Sequence, residues 1–519
     1  AYEIVSRDWS SDVCSSDLTG DQNVAVGRQS QYGASGTTTG SFNTSLGTQA
    51  LYSNTTASYN TAVGYQAAYS QTTGGYNDAF GASALYATTT GTSNTAIGRL
   101  SLTSNTTGAA NVALGTQALQ ANTTASNNTA VGYQAGYTGQ TTTGATYLGY
   151  QAGYYKNGTN DGIGSTFLGT VAGKNTTTGG DNTFVGAQAG YTNTTGTSNV
   201  ALGAAALNSN TTASYNTAVG YQAGYTNSTG QSFVMLGYQA GYSNTADWTV
   251  AIGRQALYTN SSGTFNTALG GQALVTNSTG GSNTGLGYNA LYSNTTASYN
   301  TAVGWSAMYS NTTGQNTAYG AGALYTNSTG TANTALGGTT STVSSALNAN
   351  TTGSYNVAVG TGALTSNTTA SNNTAVGYQA GYSNVTGTSL SVFGYKAGYA
   401  STSGTGINSI AAFGYNALTS NTTGTGNSAF GDINALSSNT TGSGNTAMGN
   451  QALTSNTTGS SNTALGYQTL ILNTTASNNT AVGYQAGYSN TTGSYVTVIG
   501  SAAGYGFTTG SGLTAIGAN

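Results

Sequence analysis

The chain has 519 residues, of which only 3% are charged and 79 are glycine, and it contains no proline and no histidine. An ordinary soluble domain carries about 25% charged residues, so a string of ordinary globular domains is excluded, and the lack of histidine excludes a Ser-His-Asp triad and a His-ligated metal. Net charge is −3, but four of the ten acids and one of the seven bases lie in residues 1–18, leaving six of each and a neutral body. Such a body has no electrostatic footprint for nucleic acid or an anionic membrane surface.

Residues 1–18, AYEIVSRDWSSDVCSSDL, share nothing with the rest of the chain. They lack the basic start and apolar stretch of a signal peptide. RDWSSDVCSSDL resembles a translated sequencing-adapter remnant, so the leader is read as an artefact, disordered and outside the fold. The natural N-terminus is then expected to be missing; the chain also stops inside a repeat, so the same holds for the C-terminus. Cys14, the one cysteine, falls in this leader. Residues 19–519 therefore carry no disulfide, no cysteine metal site and no thiol nucleophile, a composition that suits an oxidising extracellular setting. No apolar run reaches transmembrane length, so no membrane contact is expected from this segment.

From Gly27 a single period governs the chain. The glycine of AVG and its equivalents occurs 29 times, and 21 of the 28 intervals are 17 residues. Gly64, Gly81, Gly98, Gly115, Gly132 and Gly483 belong to this series; we number each unit from it as position 0. Seventeen residues are too few for a helix pair or a propeller blade. They suit one coil of a β-solenoid, with short strands and tight turns stacked coil on coil. Glycine, β-branched Thr and Val, and Asn and Ser disfavour helix throughout. The expected fold is all-β: one parallel β-solenoid, or β-roll, of about 29 coils over residues 19–519. At about 4.8 Å per coil it would form a rod about 140 Å long.

Position −1 is always sizeable and apolar or aromatic: Val63, Phe80, Ile97, Leu114, Val131, Leu148 and Val482. It is assigned to the core, with the position-0 glycines in turns. Position +3 is Ala almost every time. Position +4 is usually Leu, or Gly followed by Tyr, which reads as two fillings of one space, the glycine letting the ring reach inward. The turn SNTTGS supplies Asn, Gly and Ser for positive-φ positions, and stacking sets Asn over Asn and Thr over Thr. Sequons such as Asn54, Asn105, Asn122 and Asn210 recur because the turn recurs. Position −2 is normally Ala but becomes large at Tyr147, Phe167, Phe184, Met235, Val392 and Val498. Adjacent strand residues face opposite sides. Apolar groups on both sides imply that both faces are covered. Tyr147, Phe167, Phe184, Met235 and Val392 are therefore candidates for an interface between identical chains, the alternative being a monomer with a few exposed aromatics.

The units NTAVGYQAGYSNTTGS, NTALGYQTLILNTTAS and NVALGTQALQANTTAS resemble the head repeats of YadA-like trimeric autotransporter adhesins and of related phage tail-fibre proteins. The N-x-x-[VI]-G pattern of that family runs from Asn23 to Gly517. The resemblance implies a left-handed parallel β-roll, a homotrimer, and a location outside the cell, on a cell surface or virion. The coil here is longer than the familiar head coil, the extra residues falling in SNTTGS.

The acids Asp78, Asp161, Asp181, Asp247 and Asp432 stand singly, with no calcium loop, and there is no phosphate-binding glycine loop. No enzyme, metal or cofactor is expected. The function expected is a structural and adhesive rod that presents weak, repeated contacts to host matrix protein, glycan or cells. Its specific sites would lie in loops protruding from the longer intervals Gly27–Gly47, Gly149–Gly169, Gly337–Gly360 and Gly394–Gly414. Two alternatives remain. One is ice binding by rows of Thr (Thr55/Thr56, Thr106/Thr107, Thr123/Thr124) or Tyr133 and its counterparts. The other is a polysaccharide-binding tailspike without catalysis.

Overall fold

The computed structural model describes residues 19–33, 38–157, 164–402 and 407–518. The leader, residues 1–18, lies outside them. Contacts divide the chain into two units, Ala1–Arg254 and Gln255–Asn519. Among the described residues the first holds fourteen strands, β1 (Val24–Val26) to β14 (Val250–Ile252), and the second fifteen, β15 (Thr267–Leu269) to β29 (Thr514–Ile516), with no helix in either. Within each unit successive strands pair in parallel, one coil apart: Thr95, Ala96 and Ile97 lie beside Val112, Ala113 and Leu114, and those beside Thr129, Ala130 and Val131. The fold is the parallel β-solenoid that the 17-residue period predicts.

Most strands are only three residues long, yet the ladder continues around the turns. Leu102 N–H donates to Ala118 O (3.0 Å) and Leu119 N–H to Ala135 O (2.9 Å), while Gln117 N–H reaches back to Arg99 O (2.9 Å). Those bonds hold a backbone that L-residues rarely adopt. Each regular coil has left-handed residues at positions +2, +4 and +12, for example Gln117 (φ 61°), Leu119 (φ 50°) and Asn127 (φ 62°). Left-handed φ costs a non-glycine residue about 1–2 kcal/mol. Here hydrogen bonds to the coils above and below offset it. The positive-φ sites expected in SNTTGS thus lie beside it: at Gln and Leu in +2 and +4, and at Tyr, Asn or Ser in +12, the residue just after the motif.

Position 0 is where glycine is obligatory. Gly132 has φ 134°, and a Cβ on it would sit 2.7 Å from the carbonyl carbon of Gly149 in the next coil. Gly64, Gly81, Gly98, Gly115 and Gly483 share that geometry, with φ between 131° and 136°. Each marks the end of a strand where two backbones approach too closely for any side chain.

The core is the reverse of the sequence reading. Position −2 points inward: Ala62, Ala79, Ala96, Ala113 and Ala130 are 0% exposed. Position −1 points out: Phe80, Ile97, Leu114 and Leu148 are exposed, and Val63, Val131 and Val482 are half-exposed. The alternation was right and its sense was wrong. The coil interior has room for about one bulky residue per level, and in most coils position +4 supplies it. It takes Ala at −2, Ala at +3 and Leu at +4, such as Ala113, Ala118 and Leu119.

Tyr147, Phe167, Phe184, Met235 and Val392 are correspondingly buried inside their own coils, at 0–1% exposure, and cannot form an interface. Their volume is matched at position +4. A Cβ on Gly153 would lie 2.5 Å from the Tyr147 ring, one on Gly173 2.8 Å from the Phe167 ring, and one on Gly398 2.9 Å from Val392. Glycine at +4 therefore makes room for a large residue at −2. The tyrosine next to it at +5 stays on the surface.

Two rows of buried asparagine fill the corners. At position −4, Asn111 Oδ1 accepts the Asn128 backbone N–H (3.0 Å), and Asn111 Nδ2 donates to Ala125 O (2.9 Å) and Asn94 Oδ1 (3.1 Å). At position +7, Asn122 Nδ2 donates to Asn105 Oδ1 (2.9 Å) and Ala125 O (3.1 Å). Asn54, Asn105, Asn122 and Asn210 are fully buried, so these sequons are closed to glycosylation in the folded chain. Asn111→Ala leaves the Asn128 N–H without its acceptor and is expected to cost about 2 kcal/mol, measurable as a lowered denaturant midpoint.

Candidate functional site

The strand face turned to solvent carries the most regular chemistry. Its outermost row is position −3, mostly Thr, as at Thr61, Thr95 and Thr129. Two residues on is position −1, where Leu114 is 43% exposed and Leu148 41%. In the second unit Leu269, Leu286, Leu336, Met448, Leu465 and Ile499 continue the pattern. Beyond the turn glycine comes an exposed aromatic at +1, including Tyr65, Tyr133, Tyr221, Trp305 and Tyr484. Thr and aliphatic rows thus run side by side within each unit, with an aromatic beside them at +1 in 12 of the 29 coils.

Position +2 adds a ladder of amides. Gln66 Nε2 donates to Gln49 Oε1 (2.9 Å), Gln134 to Gln117 (2.9 Å), Gln151 to Gln134 (2.8 Å) and Gln485 to Gln468 (2.8 Å). The sequence reading missed this row, though the spacing of Gln in YQA and TQA carried it. The bonds run along the stack, so they stiffen the face and leave the outer amide edges to solvent.

A second aromatic row lies at +5, half-buried around the next corner. Tyr52 stacks on Tyr69 (ring centroids 4.9 Å, planes 2° apart) and Tyr69 on Tyr86 (5.1 Å, 9°). Tyr137 and Tyr154 (4.8 Å, 4°), and Tyr292, Tyr309 and Tyr325 (4.8 and 5.1 Å), repeat the arrangement. Burial, and then the neighbouring phenols, hold Tyr69, Tyr154 and Tyr309 above the ordinary tyrosine pKa. A stacked ring has both faces covered and offers only its edge and hydroxyl to a ligand.

The turn threonines suit an ice surface poorly. Thr55 Oγ1 donates to Thr72 O (3.0 Å), Thr106 to Thr123 O (3.0 Å) and Thr123 to Gln140 O (3.1 Å). One hydroxyl of each pair is thus committed to the neighbouring coil, and Thr56, Thr107 and Thr124 alone point outward.

Of the longer intervals, Gly27–Gly47, Gly149–Gly169 and Gly394–Gly414 have insertions partly outside the described residues, Asp161 among them. Gly337–Gly360 is described: its inserted residues Thr339, Thr340, Ser341 and Thr342 are exposed, and the segment that follows anchors them to the coil. Val343 is buried, its N–H bonded to Thr340 Oγ1 (3.1 Å), and Ser345 Oγ donates to Gly322 O. Asp247 Oδ1 accepts the Gln231 N–H (2.7 Å). Among the described residues no three His, Cys, Asp or Glu side chains gather in one place, and no helix is long and apolar enough to cross a membrane.

No protein-family model matches the chain, and no curated protein is detectably similar to it.

Proposed function

We propose that this chain is a structural and adhesive repeat region, displayed outside the cell on a bacterial surface or a virion, and that it works as a homotrimer. The observation that carries the reading is the open strand face. Parallel sheets are normally covered on both faces; here one face is packed on the coil interior and the other shows a row of Leu, Ile, Val and Phe to water. Contiguous apolar patches beyond a few hundred Å², about the largest a typical monomer exposes, mark interaction sites. Identical chains laid face to face bury the −1 rows against each other, rung on rung, with the Thr row at the rim. The number three comes from the resemblance of the repeats to trimeric adhesin heads.

The remaining faces, sparsely charged and repeating once per coil, then serve as the adhesive surface. One contact per coil to a matrix protein or glycan is weak, and many in register give strength through avidity. Nothing in such a role calls for catalysis or a cofactor.

The test is sedimentation of the purified chain with Leu114→Lys and Leu148→Lys. A trimeric wild type and a folded, monomeric double variant are expected. A wild type that sediments as a monomer, or a variant that stays trimeric, would overturn the association. Immobilised matrix proteins, glycans and whole cells test adhesion separately.

A further inference from the structure

We propose that the +5 tyrosine row is a site of oxidative cross-linking, in which a one-electron oxidant joins tyrosines of successive coils into dityrosine. The geometry is already that of a pair about to couple. Tyr52, Tyr69 and Tyr86 stand with centroids 4.9 and 5.1 Å apart and planes within 9°, and Tyr292, Tyr309 and Tyr325 with 4.8 and 5.1 Å. Backbone bonds fix the register: Ser53 N–H donates to Tyr69 O and Ser70 N–H to Tyr86 O, both at 2.9 Å. The ladder thus holds the backbones that carry the rings one coil apart. They are half-buried, so their edges remain open to an oxidant.

The chemistry balances with a peroxide. Each of two phenols gives up one electron and its O–H proton. The two phenoxyl radicals join through a carbon ortho to oxygen on each ring. Each of those carbons then passes its hydrogen to the ring oxygen, restoring two phenols. The peroxide O–O bond breaks, and hydrogen peroxide takes up the two electrons and two protons as two molecules of water. Radical coupling is bimolecular in solution; a neighbour held within about 5 Å turns it into an intramolecular step with a high effective concentration.

The other aromatic rows are less favourable. At +1 most rings stand further apart, with Tyr133 and Tyr150 5.6 Å apart at 14° and Tyr221 and Tyr238 5.6 Å apart at 19°, although Tyr395 and Tyr415 lie 4.9 Å apart at 8°. The row at +12 holds one pair as close, Tyr59 and Tyr76 at 5.0 Å and 5°, but no longer run of phenols, since Phe42 stacks on Tyr59 on one side and Ser93 follows Tyr76 on the other. The consequence is physical. Residues 19–519 contain no cysteine, so no disulfide can staple one coil to the next. A dityrosine between Tyr69 and Tyr86 closes the same kind of short loop and restricts the unfolded chain in the same way.

The experiment treats the purified chain with hydrogen peroxide and a haem peroxidase, then reads dityrosine fluorescence and cross-linked peptides by mass spectrometry. Links between Tyr52 and Tyr69, Tyr69 and Tyr86, and Tyr292 and Tyr309 are expected to dominate, within one chain. Tyr69→Phe keeps the ring stack. It is expected to abolish the first two links while leaving Tyr292–Tyr309 unchanged. Links spread over Tyr65, Tyr133 and Tyr299 in proportion to exposure would overturn the proposal. So would links mainly between chains, or no links under conditions that couple free tyrosine. None of these outcomes depends on what the protein adheres to.

Discussion

Gly132→Ala is expected to lower stability by about 3–5 kcal/mol and to open the coils on either side of it. Its φ of 134° lies outside the regions open to alanine, and the added methyl would sit 2.7 Å from the carbonyl carbon of Gly149. No side-chain rotation relieves a clash with backbone. The coils must separate there, and the hydrogen bonds from Gly132 N–H to Leu114 O and from Gly149 N–H to Val131 O, both 2.8 Å, go with them. In a stack held by nearest neighbours the damage stays local. Amide exchange should therefore accelerate from about residue 115 to residue 149 and little elsewhere. Gly506→Ala is the control: nothing lies within 4 Å of that position, and a change within about 0.5 kcal/mol is expected. Equal effects at the two glycines would show that position 0 is an ordinary turn.

The second large effect is a compensation. Phe184 is fully buried and stacks on Phe167 at 5.1 Å. Phe184→Ala should leave a cavity costing about 3–5 kcal/mol. Gly190 faces it at +4, where an added Cβ would collide with the Phe184 ring. Gly190→Leu alone should therefore be as damaging, by overpacking. The double variant rebuilds the pairing found in the next coil, Ala201 with Leu207, both fully buried. It is expected to return to within about 2 kcal/mol of the parent, a favourable coupling of roughly 3 kcal/mol or more in a double-mutant cycle on denaturant unfolding. Additive losses would mean that the two positions do not share one space. If Leu and the +5 tyrosine were the residues that trade places, Tyr191→Ala would rescue Gly190→Leu instead.

The second case shows where the sequence misleads. The link between Gly at +4 and a change of filling was visible in it. The sequence suggests the tyrosine one residue on as its partner, because Gly-Tyr recurs as a dipeptide. The true partner, such as Phe184 for Gly190, is six residues back in the chain and directly across the coil interior. The asparagine ladder expected from stacking is present, at Asn122 in the turn and also at Asn111 before the strand, both buried and bonded along the stack. Composition pointed to turns because asparagine often bonds its own backbone there. It could not reveal that the carbonyl of one coil's side chain accepts the next coil's N–H.

By itself the sequence determined the period, the β class and the parallel stacking, because a fixed phase of glycines every 17 residues admits one coil per unit and little else. It also determined that residues −2 and −1 face opposite ways, since strand side chains alternate. Only the tertiary structure decided which of them is inside. Alternation is blind to sense, and the usual guide, that the larger apolar residue is buried, fails when the interior holds only about one large residue per level and position +4 already fills that place. Closing the coil admits Ala113 and Leu119 and leaves Leu114 outside. The residues that looked like a core thereby become a surface, and those that looked like a surface fill the core.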